Sequence, residues 1–320
     1  MCIALISTAH PDYPLILVDN RDEFLRRPTA AADWWPEPYS FVLGSRDMAR
    51  AAHGTWLGVT KHGRIAVLTN YKEDDCSQAI GKLSRGEIIN SFLELPPDGS
   101  VNTEQFVDQL VAGGEAHLAG GFSLACGNIR GPLAIVSNRV CSKDGVTWIA
   151  KERGETVALS NVAFGDCSWK KVQNGESMMK EALHTSSKLG EHEDQLVQRL
   201  LAILSTDTLP RLKEGGDFET YIDLLRESIF IPVIGEEQED ERDEAEICTS
   251  KIHEKAEIVG NGQANHMQYM KGLYGTQKQT VVLVHNSGRV KFFERTLYDN
   301  DAKPIPIGEG DREFEFVVGE

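Results

Sequence analysis

The chain has 320 residues, of which 41% are hydrophobic and 26% are charged, as is ordinary for a soluble globular protein. Its formal net charge is −16, from 33 basic and 49 acidic residues. This balance argues against nonspecific nucleic-acid binding and against adhesion to anionic membranes, because both depend on basic patches. The sequence contains no run of 18 apolar residues, so no transmembrane helix is predicted. The short apolar run at its start lacks the basic region of a secretory signal.

The apolar residues 3–9 predict a buried strand, the two prolines within 10–14 predict a turn, and residues 15–19 predict a second strand. The chain is therefore expected to begin with a hairpin. The polar string Asn-Arg-Asp-Glu at 20–23 follows the second strand, and pairing of the two strands would bring it close to residue 2.

Later segments predict further hairpins and separate blocks of helices. Ser84 and Glu87 form a capping box before an apolar helical pattern, and a second helix is expected over 102–111. Helices are expected again from 170 to about 230. Strands are predicted at 54–60, 64–70, 122–126, 133–137, 146–150, 157–160, 280–285, 290–297 and 314–318. Short hairpins with helices in blocks predict an α+β fold, in which helices are layered on antiparallel sheets within one domain spanning 1–320.

An unusually acidic segment occupies residues 236–246, with eight acids and one base. Like charges at this density repel one another and resist burial, so we expect a solvated, disordered loop rather than a metal site. The segment could also serve as a docking site for protein partners.

Cysteine and histidine spacing indicates no metal centre. The six cysteines contain no C-x-x-C pair, and the nine histidines show neither H-x-H nor H-x-x-x-H spacing. The cysteines are expected to be reduced cytosolic thiols, mostly buried as small apolar residues.

Cys2 is a candidate nucleophile because of its place in the chain. Residue 2 is small, so removal of Met1 is expected, which would make Cys2 the mature N-terminus. Such a residue carries a thiol with a reference pKa of about 8.5 and an α-amine with a pKa of about 7.7–8.0. Either group could deprotonate the other near neutral pH. The alternative is a buried strand cysteine in a chain that keeps Met1.

The start Met1-Cys2-Ile3, together with the string at 20–23, resembles the NRDE family of transport and Golgi organisation proteins. Other segments that are similar to family blocks are 54–58, 69–71, 84–86, 159–161 and 274–276. The chain departs from the family pattern at Gln277, where an arginine is expected.

The resemblance implies a fold like that of N-terminal nucleophile hydrolases, a four-layer αββα sandwich of two antiparallel sheets. It also implies a similarity to choloylglycine and penicillin V acylases, which cleave amide bonds with a terminal cysteine. In those acylases an arginine precedes the catalytic aspartate by three residues. Here that position is Asp19, and Arg21 is displaced toward Asp22.

Site residues follow from the same resemblance. Asp22 matches the aspartate that orients the terminal amine, Asn161 matches the oxyanion asparagine, and Asn70 is a second candidate for that role. We expect the pocket to include Asn20, Arg21, Glu23, Trp56 and Tyr71. Ordinary structural roles compete with these assignments: Arg21 could be the centre of an ion-pair cluster, and asparagines commonly end strands for turn reasons.

Three functions stay open from the sequence. The first is a carrier of an apolar or amphipathic ligand, because the resemblance implies roles in haem trafficking, lipid or acyl-coenzyme A homeostasis and Golgi organisation. Haem would then be cargo rather than a required cofactor. His53 and His266 are candidate axial ligands, although solvent-facing or core histidines are the commoner explanation.

The second is a cysteine amidohydrolase that acts on C–N amide bonds. The third is a non-catalytic interaction protein in secretory traffic. The expected location is cytoplasmic, with Golgi or mitochondrial association.

Overall fold

The structure is a computed structural model that describes residues 2–71, 84–140, 142–212, 218–236, 269 and 271–319. Thirteen strands lie in these ranges: β1 Ile3–Ser7, β2 Leu15–Phe24, β3 Thr29–Trp34, β4 Val42–Asp47, β5 Leu57–Thr60, β6 Arg64–Asn70, β7 Phe122–Asn128, β8 Leu133–Ser137, β9 Thr147–Ile149, β10 Thr156–Ser160, β11 Tyr274–Val284, β12 Arg289–Thr296 and β13 Asp311–Val317.

The strands form two sheets whose neighbouring strands are antiparallel throughout. One has six strands in the order β10-β1-β2-β11-β12-β13, and the other has seven in chain order from β3 to β9. The expected opening hairpin is present: Ile3 pairs with Asn20, and Ser7 pairs with Ile16. On its other side β1 pairs with β10, so that Ile3 faces Ser160.

Six α-helices lie in the described ranges: α1 Arg85–Leu93, α2 Thr103–Ala112, α3 Glu115–Leu118, α4 Lys170–Leu189, α5 Glu193–Leu204 and α6 Phe218–Tyr221. The predicted capping box of α1 is confirmed, because the Ser84 amide donates to Glu87 Oε2 at 2.8 Å. The predicted helix over 102–111 is confirmed as α2, with Asn102 as its N-cap.

Strand alternation sorts the apolar residues into layers. Ile3 and Leu5 face the cluster that contains the apolar residues of α4 and α5, whereas Ala4 and Ile6 belong to the core between the two sheets. A third cluster packs α1 and α2 against the outer face of the seven-stranded sheet. The order of layers is therefore helix, sheet, sheet, helix, which confirms the predicted α+β αββα sandwich.

The string at 20–23 lies inside β2 rather than after it, contrary to the sequence interpretation. β2 continues to Phe24 because β11 pairs with it along its whole length, from Val284 opposite Leu15 to Tyr274 opposite Phe24. Successive residues of a strand point to opposite faces, so the four polar side chains cannot all meet in one place.

No helix in the described ranges is both long and apolar enough to cross a membrane. Of the acidic segment 236–246, only Glu236 belongs to these ranges, so the predicted loop and its docking role lie outside the described residues.

Candidate functional site

A cavity of about 150 Å³ lies where β1 begins and where β2 and β6 end. Six of the sequence-predicted site residues line it: Cys2, Arg21, Asp22, Glu23, Trp56 and Asn70. Hairpin pairing accounts for the first four, because antiparallel β1 and β2 bring the start of one strand beside the end of the other. Trp56 and Asn70 come from the facing sheet, so the cavity lies between the two sheets.

The Cys2 thiol is buried, with 7% of the residue exposed. Its Sγ lies 3.8 Å from the carbonyl oxygen of Asp22, and the Ser160 hydroxyl donates to the Cys2 carbonyl at 2.8 Å. Burial raises the pKa of the thiol to about 11, and the charges of Asp22 and Asp19 add to this effect. The thiol is therefore neutral at pH 7 in the chain that keeps Met1, and attack on a carbonyl would require a base to remove its proton.

Asp22 is held by the neighbouring strand β11. The Thr276 hydroxyl donates to Asp22 Oδ1 at 2.7 Å and accepts from the Ile231 amide at 2.8 Å. The Tyr274 hydroxyl donates to the Asp22 carbonyl at 3.1 Å. Burial raises the pKa of the carboxyl group, while Lys171 and Thr276 act in the opposite direction. These contacts fix Asp22 beside Cys2.

Arg21 contacts both Trp56 and Gln277. Its guanidinium lies 4.4 Å from the centroid of the Trp56 ring, and its Nη1 donates to Gln277 Oε1. Gln277 in turn donates to the Leu25 carbonyl at 3.3 Å. A second arginine at position 277 would place two positive charges side by side.

Asn20 and Tyr71 do not line the cavity. The Asn20 amide donates to the carbonyls of Leu204 and Ile229, at 2.7 and 3.0 Å, on the helix-covered face of the sheet. The Tyr71 ring packs under the guanidinium of Arg139 at 4.1 Å. Asn20 was predicted as a pocket residue, but strand alternation turns it away from Arg21.

The two predicted oxyanion asparagines differ in position. Asn70 is half-buried and lines the cavity. Asn161 is 3% exposed, lies outside the lining, and its Oδ1 has no hydrogen-bond donor within the described part of the chain. Of the two histidines considered for haem, His53 does not line the cavity, and His266 falls outside the described residues.

Sequence reasoning missed two buried charged residues next to Cys2. Lys171 is 0% exposed and interacts electrostatically with Asp22, Cys2 and Asp19; burial lowers the pKa of its ammonium group, and the three acidic groups oppose that shift. Asp19 is 1% exposed, and no hydrogen bond reaches its carboxylate oxygens from any described residue. The helical spacing of Lys171 with buried Gly175 and Met179 was the available signal.

Three arginines of the lining were also missed: Arg27, Arg50 and Arg85. Asp47 accompanies them in the lining. These residues come from separate segments, namely the turn after β2, the loop after β4 and the first turn of α1. Only Arg85 had a sequence signal, because it lies within the family-like block at 84–86.

Comparison with known proteins gives a family match over almost the whole chain. The sequence model of the family described as Transport and Golgi organisation 2 matches residues 1–299. The Transport and Golgi organization 2 homolog of Mus musculus is 28% identical over 303 residues, which is 90% of this chain and 88% of the mouse protein. The Homo sapiens homolog is 29% identical over 305 residues, with the same coverage of 90% and 88%.

Solved structures show more distant likenesses. The Caenorhabditis elegans orthologue of N-acylethanolamine-hydrolyzing acid amidase aligns with a TM-score of 0.41 and 14% identity, over 66% of this chain and 88% of that one. The C2A mutant of conjugated bile acid hydrolase from Clostridium perfringens aligns with a TM-score of 0.34 and 10% identity, over 99% and 97%.

Proposed function

This chain belongs to the Transport and Golgi organisation 2 family, and we propose that it binds the polar end of an amphipathic ligand, of the haem or acyl-coenzyme A class, in the Cys2 cavity. The observation that carries the proposal is the composition of the cavity wall. The Trp56 ring supplies an apolar surface, the Arg21 guanidinium lies over that ring, and the neutral Cys2 thiol lines the same space.

The size of the cavity indicates how much of a ligand it can hold. Its volume of about 150 Å³ is smaller than the ~300–1,000 Å³ of sites that enclose a drug-sized molecule. One end of a haem or an acyl-coenzyme A would enter, and the rest would extend outside.

In a chain that keeps Met1, the state of Cys2 favours holding a ligand over cleaving it. With a thiol pKa of about 11, only about one molecule in 10⁴ carries a thiolate at pH 7. A nucleophilic cysteine instead has a lowered pKa in an electropositive setting. The neutral, buried thiol is suited to contact with a ligand.

Equilibrium titration tests the proposal. Wild-type protein is titrated with haem and with palmitoyl-coenzyme A, beside Trp56→Ala and the control Trp148→Ala, whose side chain lies outside the cavity lining. We expect saturable binding of at least one ligand to the wild type, and binding roughly 10-fold weaker in Trp56→Ala only. No saturable binding of either ligand would overturn the proposal.

A second candidate function is amide hydrolysis, which is favoured by the presence of Cys2, Asp22 and Asn70 in one cavity lining. With Met1 removed, the Cys2 sulfur would attack the amide carbonyl carbon, and the thiol proton would pass through the α-amine to the leaving nitrogen. The C–N bond would break, and water would hydrolyse the resulting thioester to return the thiol. Asn70 is the described side-chain candidate for an oxyanion donor within the lining.

Two measurements separate hydrolysis from binding. Intact mass shows whether Met1 is absent, because a retained Met1 blocks the α-amine of Cys2. A panel of fatty-acyl amides is then offered to wild type and to Cys2→Ala. Hydrolysis requires turnover in the wild type that the substitution abolishes; turnover that is equal in both proteins would reject this mechanism.

The cellular location is a separate proposal, supported by the family description. We propose a cytoplasmic protein that associates with Golgi or mitochondria. A C-terminal fluorescent tag, which leaves residue 2 unmodified, would show organelle-associated signal in imaging and fractionation. A uniformly nuclear or secreted signal would contradict it.

A further inference from the structure

The charges around the Cys2 cavity are unevenly paired. Four arginines and three acidic residues line it: Arg21, Arg27, Arg50, Arg85, Asp22, Glu23 and Asp47. The lining therefore contains one more basic than acidic side chain. The contacts of the acids also leave two of the arginines without an ion pair among the described residues.

Arg27 takes up two of the three acidic groups. Its Nε lies 2.7 Å from Asp47 Oδ2 and 3.8 Å from Glu23 Oε2. The third acid, Asp22, is bound by Thr276 on the neighbouring strand. Arg21 is directed to Gln277 and to the Trp56 ring.

For Arg50 and Arg85, the described carboxylates act only as nearby charges: Asp47 and Glu87 on Arg50, and Glu23 on Arg85. Neither arginine makes an ion pair with any residue in the described ranges, although both line the cavity. The one side-chain hydrogen bond of Arg85 there is a 3.3 Å contact from Nη1 to the Gly121 carbonyl. Both residues are half-buried. Guanidinium groups present several donors in a planar fork that fits carboxylate and phosphate oxygens.

The electrostatic setting of Arg85 agrees with this geometry. Burial lowers the pKa of Arg85 to about 10, and the positive charges of Arg50 and Arg27 lower it further while Glu23 opposes them. The group stays protonated at neutral pH. A bound anion would relieve the repulsion between these guanidinium groups.

We propose that Arg50 and Arg85 form an anion subsite of the Cys2 cavity, which binds a carboxylate or phosphate group of an amphipathic ligand. This inference rests on the proposed function, because it assigns the ligand's charged group to two residues. The ligand is then an amphipathic anion rather than a neutral lipid. Its charged oxygens lie against the two guanidinium groups, and its adjoining atoms contact Trp56 and Cys2.

The test compares ligands that differ in the kind of anion. Palmitate carries a carboxylate, a thioether analogue of palmitoyl-coenzyme A carries phosphates, and hexadecanol carries no charge. Each is titrated into wild type, Arg50→Gln, Arg85→Gln and the double variant. Arg226→Gln is the matched control, because Arg226 lies in a 3₁₀ turn outside the cavity lining. Thermal unfolding and circular dichroism check that each variant is folded. A further variant, Arg85→Lys, keeps the positive charge but lacks the planar guanidinium fork.

We expect each single substitution to weaken binding of the charged ligands roughly 10- to 100-fold, with a smaller loss in Arg85→Lys and none in Arg226→Gln. Binding to wild type should also fall with rising salt more steeply than binding to the double variant. If the arginine substitutions weaken binding of the thioether analogue alone, phosphate is the bound group. If they weaken binding of palmitate alone, carboxylate is the bound group.

Two other outcomes are distinct. Saturable binding that is equal in wild type and the folded double variant overturns the anion subsite but leaves the proposed function standing. The subsite is likewise overturned if hexadecanol binds as tightly as both charged ligands. Absence of saturable binding of every one of these probes, and of haem, to wild type overturns the proposed function and the subsite together.

Discussion

Gly54 and Gly86 pack backbone against backbone, so closely that a Cβ atom placed on Gly54 would lie 2.7 Å from the Cα atom of Gly86. This contact joins the loop before β5 to the first turn of α1. Trp56 follows one glycine and Arg85 precedes the other, and both side chains line the Cys2 cavity. The contact therefore sets the position of the aromatic wall relative to the proposed anion subsite.

Gly86→Ala tests this contact. An added methyl group at Gly86 would lie 2.8 Å from the Gly54 Cα atom, so the backbone must shift. We expect the free energy of unfolding to fall by about 1–3 kcal/mol, and ligand affinity to fall because Arg85 moves. The control is Gly131→Ala, where the nearest atom would lie 4.0 Å away. If denaturant unfolding gives both variants the same free energy of unfolding as wild type, the contact between Gly54 and Gly86 is not tight.

Asp19→Asn should stabilise the protein at neutral pH. Burial raises the pKa of Asp19 well above its usual range, and the Asp22 charge adds to this effect while Arg21 opposes it. The folded state therefore binds more protons than the unfolded state, so wild-type stability falls as pH rises from about 3.9 through the folded-state pKa. The gain in free energy of unfolding of Asp19→Asn over wild type should be small near pH 4 and should increase toward pH 7.

Asp47→Asn is the control, because its effect on the free energy of unfolding should have the opposite sign. Burial alone would raise the pKa of Asp47, but Arg27 and Arg21 reverse the shift and lower it. Removing this carboxylate should cost stability above its ordinary pKa, and the cost should vanish as pH falls through the folded-state value. Urea unfolding at a series of pH values measures both effects. A pH-independent advantage of Asp19→Asn would contradict the assignment.

Lys278 and Glu294 form a buried ion pair between neighbouring strands of the six-stranded sheet. Their charged atoms are 2.9 Å apart, and the side chains are 2% and 1% exposed. Glu294 also accepts from the Ala32 amide at 2.8 Å on the facing sheet. Lys278→Met should destabilise the protein by about 3–5 kcal/mol, because it leaves a buried carboxylate without its cation.

Lys303→Met is the matched control, since its pair with Asp301 is 74% and 75% exposed and should contribute about 0–1 kcal/mol. The double variant Lys278→Met with Glu294→Gln should recover part of the loss. If Lys278→Met proves as stable as Lys303→Met in denaturant unfolding, the buried pair contributes no more to stability than an exposed one.

Cys2 should react slowly with iodoacetamide at pH 7, because burial raises the pKa of its thiol to about 11. Cys167 is exposed and should be alkylated first. Peptide mass mapping over time follows each thiol separately, and the rate at Cys2 should increase as pH rises toward that value. Fast alkylation of Cys2 at pH 7 would indicate a thiolate and would favour the hydrolase over the carrier.

Periodicity in the sequence predicted most of the fold, because alternation and helical spacing are local. The strand at 133–137 and the capped helix after Ser84 are observed as predicted. The end of β2 could not be predicted in this way. It depends on pairing with β11, which lies about 250 residues later in the chain and supplies no local signal.

The site was predictable in the part that the hairpin assembles. Cys2, Asp22 and Arg21 meet because β1 pairs with β2, and the turn between those strands is visible in the sequence. Arg50 could not be predicted, and the family-like block at 84–86 was the only signal for Arg85, because the meeting of these segments depends on the backbone contact of Gly54 with Gly86. Polar residues on separate loops carry no pattern that reveals such a meeting.

The central claim is that a ligand occupies the Cys2 cavity, and ligand protection of Cys2 tests it most directly. Alkylation of Cys2 and Cys167 is measured at pH 8 with and without saturating haem or the thioether analogue of palmitoyl-coenzyme A, which cannot acylate a thiol. The predicted result is that at least one ligand slows alkylation of Cys2 at least 10-fold, while Cys167 reacts at its unliganded rate. An alkylation rate of Cys2 that neither ligand changes at saturation would contradict the claim.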